Sequence, residues 1–595
     1  MGKLIITELA LVLLISIGLA NRLQVDLDIH LGDGDTVGID ENSGATSIPE
    51  VADLPTVNLH YERHKASPPI RYGQNFYNFS NIPYAQQPVK KLRFKKAEPL
   101  EGVDGELPEN DGQNTVVCPQ EQVGWLPFAQ EFLADYLERN NELAEKWSHP
   151  ITAENNYTWS DELPPVPNMS ESCLTLDVMV PKRVYNKLES GDDIQPDNES
   201  DFIFVSVNYR LGAFGFLAGK SFEDAGGFEN AGFSDQVVAL DWVQKNIGRF
   251  GGDPGEVTVM GQSAGASSIL HHLVSYGGDE SPPGSSSPAF KRAILQSPPF
   301  FPNVKRSQME DTYQSFLREA NVKDFQELQN ARSEDLIRAN RKTTFESPYG
   351  RFNYGAVKDD SFVAAPPALL LKYGHFWSAK DVMVSYNRAE GLLFTPPWLQ
   401  TQDTLRKHVR EAYPGFPTPE LDYAMELYPI DKEAAAKQQV GNASWLIGDL
   451  GVDCNAYAVR NAYPGAFEYH FNLWPGLHGR DTNYTFGPQD KLNVNQAQGA
   501  RMRRYITSFV KHGDPSVAIL KADPSFHPWR NEKQAMTFGE GKPLFLLDDF
   551  YGMRSDTLNA TRCDFWGYAP YWAGPDDVYR KGIVQQQDGE WHQGL

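Results

Sequence analysis

The sequence is poor in cysteine, in positive charge and in long apolar runs, and each shortage excludes something. Its 595 residues contain four cysteines, none in a Cys-x-x-Cys spacing, which excludes a zinc ribbon or a thioredoxin-type redox pair. Lysine and arginine number 54 against 78 aspartates and glutamates, a net charge of −24. A polyanion would be repelled, so nucleic acid drops out as a partner. Beyond the first twenty residues no apolar stretch approaches the ~20 residues of a membrane span. The polar ending QQQDGEWHQGL is unlike a lipid-anchor signal, so no stable membrane anchor is expected. No period of about 20 to 50 residues recurs, against a solenoid or propeller.

What is present begins with a targeting pattern. Residues 1–20, MGKLIITELALVLLISIGLA, set Lys3 before an apolar core from Leu9 to Ile17, then the small residues Gly18 and Ala20. Apart from Glu8, this is the order of a secretory signal peptide, and it predicts a secreted, extracellular protein. Asn-x-Ser/Thr acceptors at Asn78, Asn156, Asn168, Asn198, Asn442, Asn483 and Asn559 agree with export. In an oxidising compartment the even cysteine count predicts two bridges; the three possible pairings stay open on composition alone. Residues 21–54 are polar and rich in acid, Gly and Ser, and read as a solvated extension. Their aspartates lack the terminal glutamate of a calcium loop. Residues 55–595 then form the ordered body, starting from a strand in PTVNLHY.

Between Cys118 and Cys173 lies a long excursion in which Trp125, Phe128, Phe132 and Tyr136 recur at helical spacing. It reads as a surface helix packed on the core or as a lid. After Cys173, short continuous apolar runs (LTLDVMV, FIFVSVNY, VTVMG, RAILQS, DVMVSY, AFEYHF) alternate with helical stretches such as DQVVALDWVQKNI and MEDTYQSFLREA. Continuous runs predict strands buried on both faces of a parallel sheet, hence an α/β class with helices covering the sheet.

One of those strands, VTVMG, runs into Gly261-Gln262-Ser263-Ala264-Gly265 and then a helix, AGASSILHHL. A lone Gly-x-Ser-x-Gly is weak, but strand–turn–helix is the setting of a nucleophile elbow. The two glycines leave room for the turn, Ser263 stands clear of the sheet, and the Ala264 N–H sits where an oxyanion would form. A serine hydroxyl needs a base and an acid to orient that base. His271 and His272 share the elbow's own helix and point away. His478, on a glycine-flanked aromatic loop after AFEYHF, is the best-placed base. Glu390, just after DVMVSY, is the acid or an exposed turn residue.

With these stretches in hand, the chain resembles the type-B carboxylesterase, lipase and cholinesterase family of the α/β-hydrolase fold, above all its secreted fungal members. The likeness rests on YNFSNIPYAQQPVKKLRFKKAEP, ESCLTLDVMVPK, VNYRLGAFGFLAG, NAGFSDQVVALDWVQKNIGRFGGDPGEVTVMGQSAGA, NRAEG and LHGRDTNYTFG, spread from about Pro55 to Trp529. The resemblance implies Ser263 as nucleophile, Glu390 as acid and His478 as base, with bridges Cys118–Cys173 and Cys454–Cys563. It implies no metal or cofactor, and a small-molecule or lipid ester as substrate. SPPFF, Ser297 to Phe301, matches the family's acyl-pocket segment.

The likeness breaks between Pro181 and Phe202. There the family carries a hydrophobic central strand ending in a Gly-Gly-Gly oxyanion loop. This chain has KRVYNKLESGDDIQPDNESD, and no triple glycine occurs anywhere in it. A strand missing between those at Phe202 and Val257 would leave a gap in the sheet or force the two to pair. Only Ala264 would remain as an oxyanion donor, unless DAGGFENAG (Asp224 to Gly232) lends N–H groups. A conceptual translation that skips an exon, a true splice form and a substitute loop would each account for this, and the abruptness favours the first. Two functions follow: a secreted serine ester hydrolase, or a catalytically impaired or silent binding protein.

Overall fold

The computed structural model describes residues 54–571, except 70–73, 138–145, 148–157, 191–201, 280–285, 302–305, 379, 431–439, 488–493, 543–547, 549, 556 and 569–570. The signal-like segment, nearly all of the N-terminal extension, and Asn156 and Asn198 lie outside the described residues.

Two larger sheets organise the chain. One has the order β12-β11-β10-β9-β8-β7: β7 (Thr258–Gln262), β8 (Arg292–Gln296), β9 (Asp381–Asn387), β10 (Phe467–Phe471), β11 (Gln534–Phe538) and β12 (Tyr551–Ser555). From β7 to β11 it is parallel, and only β12 runs antiparallel. Its inner strands β8 and β10 are buried along their whole length, as continuous apolar runs require. The other sheet has the order β3-β5-β6: β3 (Phe76–Pro83), β5 (Thr175–Pro181) and β6 (Phe204–Val207). It is antiparallel throughout. The parallel sheet expected for LTLDVMV and FIFVSVNY is therefore corrected, since an apolar run reports burial but not strand direction. A small sheet of β1 (Thr56–Asn58), β2 (Arg63–Lys65) and β4 (Glu109–Asn110) sits beside the antiparallel one.

Among the described residues, nothing pairs with the outer edge of β6 or of β7. Most of their Cα atoms stand more than 8 Å apart, whereas paired strands lie about 4.8 Å apart. Among the described residues, β6 and β7 are not paired with each other. Every residue of both strands is only partly buried, which also corrects the both-face burial expected of them. A long helix packs against the cores of both sheets.

In chain order, the helices that matter are α1 (Leu126–Leu137), α2 (Lys182–Ser190), α3 (Ala231–Asn246), α4 (Ala264–Leu273), α5 (Arg306–Glu319) and α6 (Gln496–His512). α3 buries Val238, Ala239, Trp242 and Val243 against Phe79, Leu176, Val178 and Val180 of the antiparallel sheet. Its Gln236 meanwhile bonds Ser268 (3.0 Å) and His272 (3.0 Å) of α4. One helix thus contacts the antiparallel sheet and the helix that follows β7. α2 occupies the start of the polar stretch after Pro181 and packs Val184 and Tyr185 on β3.

Cys118 is bonded to Cys173, closing the excursion that holds α1, and Cys454 to Cys563. In α1, Trp125 immediately before it and Phe132 within it are buried in the core beside the Glu390 turn. Of the described glycan acceptors, Asn168 and Asn559 are exposed, while Asn78, Asn442 and Asn483 are partly buried.

Candidate active site

The site is built at the ends of three strands of the parallel sheet, β7, β9 and β10. β7 turns sharply into α4 at Ser263, whose backbone sits at φ 52° and ψ −122°. That is a strained conformation for a residue with a side chain, and it is held by the flanking elements. The Ser263 N–H extends the ladder to Gln296 O (3.0 Å). Gly261 is obligatory here: a Cβ on it would lie 2.4 Å from the Gly265 carbonyl carbon and 2.7 Å from the Ala266 nitrogen. Gly265 is not, since nothing lies within 4 Å of where its Cβ would be. The expected crowding holds for the first glycine only.

Glu390 follows β9 in a short turn, buried to 1% exposure, and accepts the Asn387 N–H at Oε1. His478 lies on the loop after β10 at 3% exposure. Its Nδ1 is 2.6 Å from Glu390 Oε2, and its Nε2 is 2.7 Å from Ser263 Oγ. The carboxylate accepts from Nδ1–H, which fixes the tautomer and leaves Nε2 free to accept the serine proton. Ser263, His478 and Glu390 are thereby joined in one chain of hydrogen bonds. His271 and His272 are not part of it. Burial drives them down to about 4 and about 3, and they bond Ser267 O and Gln236 respectively.

Two loops carry the acid and the base, and they are tied together. The Ala389 N–H donates to Gly476 O (2.8 Å), and Asn387 Nδ2 donates to Leu477 O (2.9 Å). Behind them lies Asp481, fully buried, accepting from Tyr469 Oη (2.9 Å) and Gln296 Nε2 (3.2 Å). Burial, with the charge of Glu390 adding to it, pushes the Asp481 carboxyl up to about 6. Residue-level reading missed Asp481, although a carboxylate three positions after His478 was the signal to follow.

An apolar wall adjoins the imidazole. The Phe394 ring is centred 5.0 Å from His478 and 5.1 Å from Phe301, and Trp125 stands 6.3 Å from Phe394. Phe301 fits only because residue 451 is glycine, a Cβ there falling 2.4 Å from its ring. Phe300, the other phenylalanine of SPPFF, is buried beside His271. Trp125 thus brings the Cys118–Cys173 excursion to the site.

The fourth requirement, a hole for the oxyanion, is the least built. Ala264 heads α4, where no preceding turn supplies an acceptor for its N–H, and the residue is exposed. In DAGGFENAG, three N–H groups are already engaged: Gly226 N–H donates to Glu223 O, Gly227 N–H to Phe222 O and Phe228 N–H to Phe94 O. Among the described residues, His, Cys, Asp and Glu converge as a potential ion site only at Asp449, Cys454 and Cys563. There both sulfurs are engaged in the disulfide and Asp449 bonds Tyr428 and Arg562.

Set beside known proteins, the chain has clear relatives. A model of the carboxylesterase family matches residues 66–566. The carboxylesterase patB of Penicillium expansum is 30% identical over 87% of this chain and 96% of its own. A cholinesterase of Mus musculus is 28% identical over 87% and 86%. Among solved structures, EstA of Aspergillus niger superposes with a TM-score of 0.65 at 21% identity, covering 87% of this chain and 99% of its own. A PNB esterase gives 0.59 at 23% identity, covering 86% and 100%. The fold is the α/β-hydrolase fold of these esterases.

Proposed function

This chain belongs to the carboxylesterase family, a family of carboxylic-ester hydrolases, and on that premise we propose that it works as a secreted serine esterase through Ser263, His478 and Glu390. One observation carries the reading: the unbroken hydrogen-bond chain from Glu390 through His478 to a serine held on a strained strand-to-helix turn. Ser263 Oγ attacks the ester carbonyl while His478 Nε2 takes its proton. The tetrahedral oxyanion forms toward the Ala264 N–H. His478 then protonates the departing alcohol, and Glu390 stabilises the imidazolium and keeps the ring in register. Water, deprotonated by the same imidazole, releases the acid and restores Ser263. Phe301 and Phe394 line the acyl side, which favours an apolar acyl group. No step calls on a metal or cofactor.

A second reading, an impaired or silent family member, is favoured by the exposed Ala264 and the unpaired edge of β7. A lost oxyanion donor costs about 10²–10³ in turnover, and water at an exposed donor weakens what remains. Stopped-flow hydrolysis of p-nitrophenyl butyrate separates the two. The esterase reading predicts one equivalent of p-nitrophenol per folded chain in a burst, abolished in Ser263→Ala. A folded chain with no burst and no turnover supports the silent reading.

A further inference from the structure

Outside the triad, residues of α5 and of the stretch from Pro348 to Val357 line a cavity of about 250 Å³. Phe216, Met309, Phe352 and Val357 give it apolar walls. The Phe352 ring also meets Phe301 (6.3 Å) and Phe394 (6.5 Å), so the cavity backs on the apolar wall beside His478. Four partly buried polar side chains line it as well, and two of them are spent. Asn353 Nδ2 donates to Thr343 O (2.7 Å), and Thr312 Oγ1 to Gln308 O (3.0 Å). The other two are not: Arg351 Nε and Gln308 Oε1 are buried without a hydrogen-bond partner. Among the described residues, no carboxylate forms an ion pair with the Arg351 guanidinium.

A buried donor or acceptor left unpaired is costly, and a charged one more so. Burial holds the Arg351 guanidinium below the ordinary arginine range, yet an arginine stays charged at neutral pH. Burial, with the charge of Arg351 adding to it, holds nearby His408 down at about 4. His408 is therefore neutral near pH 7 and adds no second cation. The two acids that line the cavity, Asp311 and Glu411, are exposed, where water and salt screen them. Glu411 also faces Lys407 at 3.8 Å. A guanidinium presents a planar fork of donors that matches a carboxylate, and Gln308 Oε1 accepts a hydroxyl. The walls take an apolar body. Together these demands describe an apolar hydroxy acid.

We propose that this cavity binds a free aromatic hydroxy acid, its carboxylate on Arg351, its hydroxyl on Gln308 Oε1 and its ring against Phe216 and Phe352. Binding there requires no turnover at Ser263, so the proposal stands or falls apart from the esterase reading. Isothermal titration calorimetry on the whole purified chain near neutral pH tests it with 4-hydroxyphenylacetate, phenylacetate and the uncharged 4-hydroxyphenylacetamide. The hydroxy acid should bind at least about tenfold more tightly than its amide, the preference expected of a charge-assisted bond. Arg351→Gln should abolish that preference. Gln308→Leu should erase the advantage of 4-hydroxyphenylacetate over phenylacetate. Equal affinities for acid and amide in the parent chain would overturn the proposal, and so would no binding of the acid, the result for a cavity that holds only water. A preference that survives Arg351→Gln, or a hydroxyl advantage that survives Gln308→Leu, would overturn it too. The parent-chain comparison of acid with amide decides even if a variant fails to fold.

Discussion

Replacing Glu390 by glutamine removes one charge while keeping shape, and its consequence follows from the geometry. Glu390 Oε2 lies 2.6 Å from His478 Nδ1, with the two residues 1% and 3% exposed. When His478 takes the proton of Ser263, a positive ring forms about 4 Å from the centre of that carboxylate. At an effective dielectric of about 20 the attraction is about 4 kcal/mol. At 1.36 kcal/mol per decade this corresponds to about 10³ in rate. The amide also has a donor that can face Nδ1 and turn the ring to the wrong tautomer, an error that costs about 10⁴ in a serine protease triad. The prediction is a fall of 10³ to 10⁴, within about a decade, in the rate at which a fluorophosphonate adds to Ser263, followed by intact mass. This readout needs no turnover. A fall of less than tenfold, with the fold intact by circular dichroism, would refute Glu390 as the partner of His478.

Three further outcomes are expected. Asp481 is held up at about 6 against an ordinary 3.8, so the fold prefers its protonated form; the stability it contributes is full below about pH 4 and is lost as pH rises through 6. That gap corresponds to about 3 kcal/mol, so the destabilisation by Asp481→Asn in urea titrations should shrink by about that much from pH 4 to pH 7, and a pH-independent difference would contradict the burial account. Gly261→Ala should lower stability by about 1–3 kcal/mol or more, through backbone clashes, whereas Gly265→Ala should be neutral or gain up to about 1 kcal/mol; equal thermal shifts in the two would count against the elbow geometry. Phe301→Ala should lower kcat/KM for p-nitrophenyl hexanoate at least about tenfold relative to the acetate, and parallel losses on both esters would remove Phe301 from the acyl side.

The parts of this site that depend on local chemistry were legible in the sequence. Gly261 to Gly265 between a strand and a helix is a local pattern, and so is a histidine on a glycine-flanked loop. Their partnership with Glu390 was not local: it rests on β9 and β10 lying side by side, and it came from resemblance rather than from spacing. Phe394 and Asp481 escaped notice because their roles come from tertiary neighbours, a ring packed on His478 in one case and a buried hydrogen-bond hub in the other. The direction of β5 and β6 was misread for the same reason, since apolar runs carry no sign of which way a strand runs. The departure after Pro181 was visible in composition, but its outcome was not. The contacts of α3 with the cores of both sheets appear only in three dimensions.

The central claim is that Ser263 is a nucleophile activated through His478. The most direct test is intact mass and peptide mapping of the purified chain after exposure to a fluorophosphonate near neutral pH. The account predicts one adduct per folded chain, located on Ser263 and absent from Ser263→Ala and from heat-unfolded protein. No adduct on folded protein, or an adduct on another residue, would contradict it.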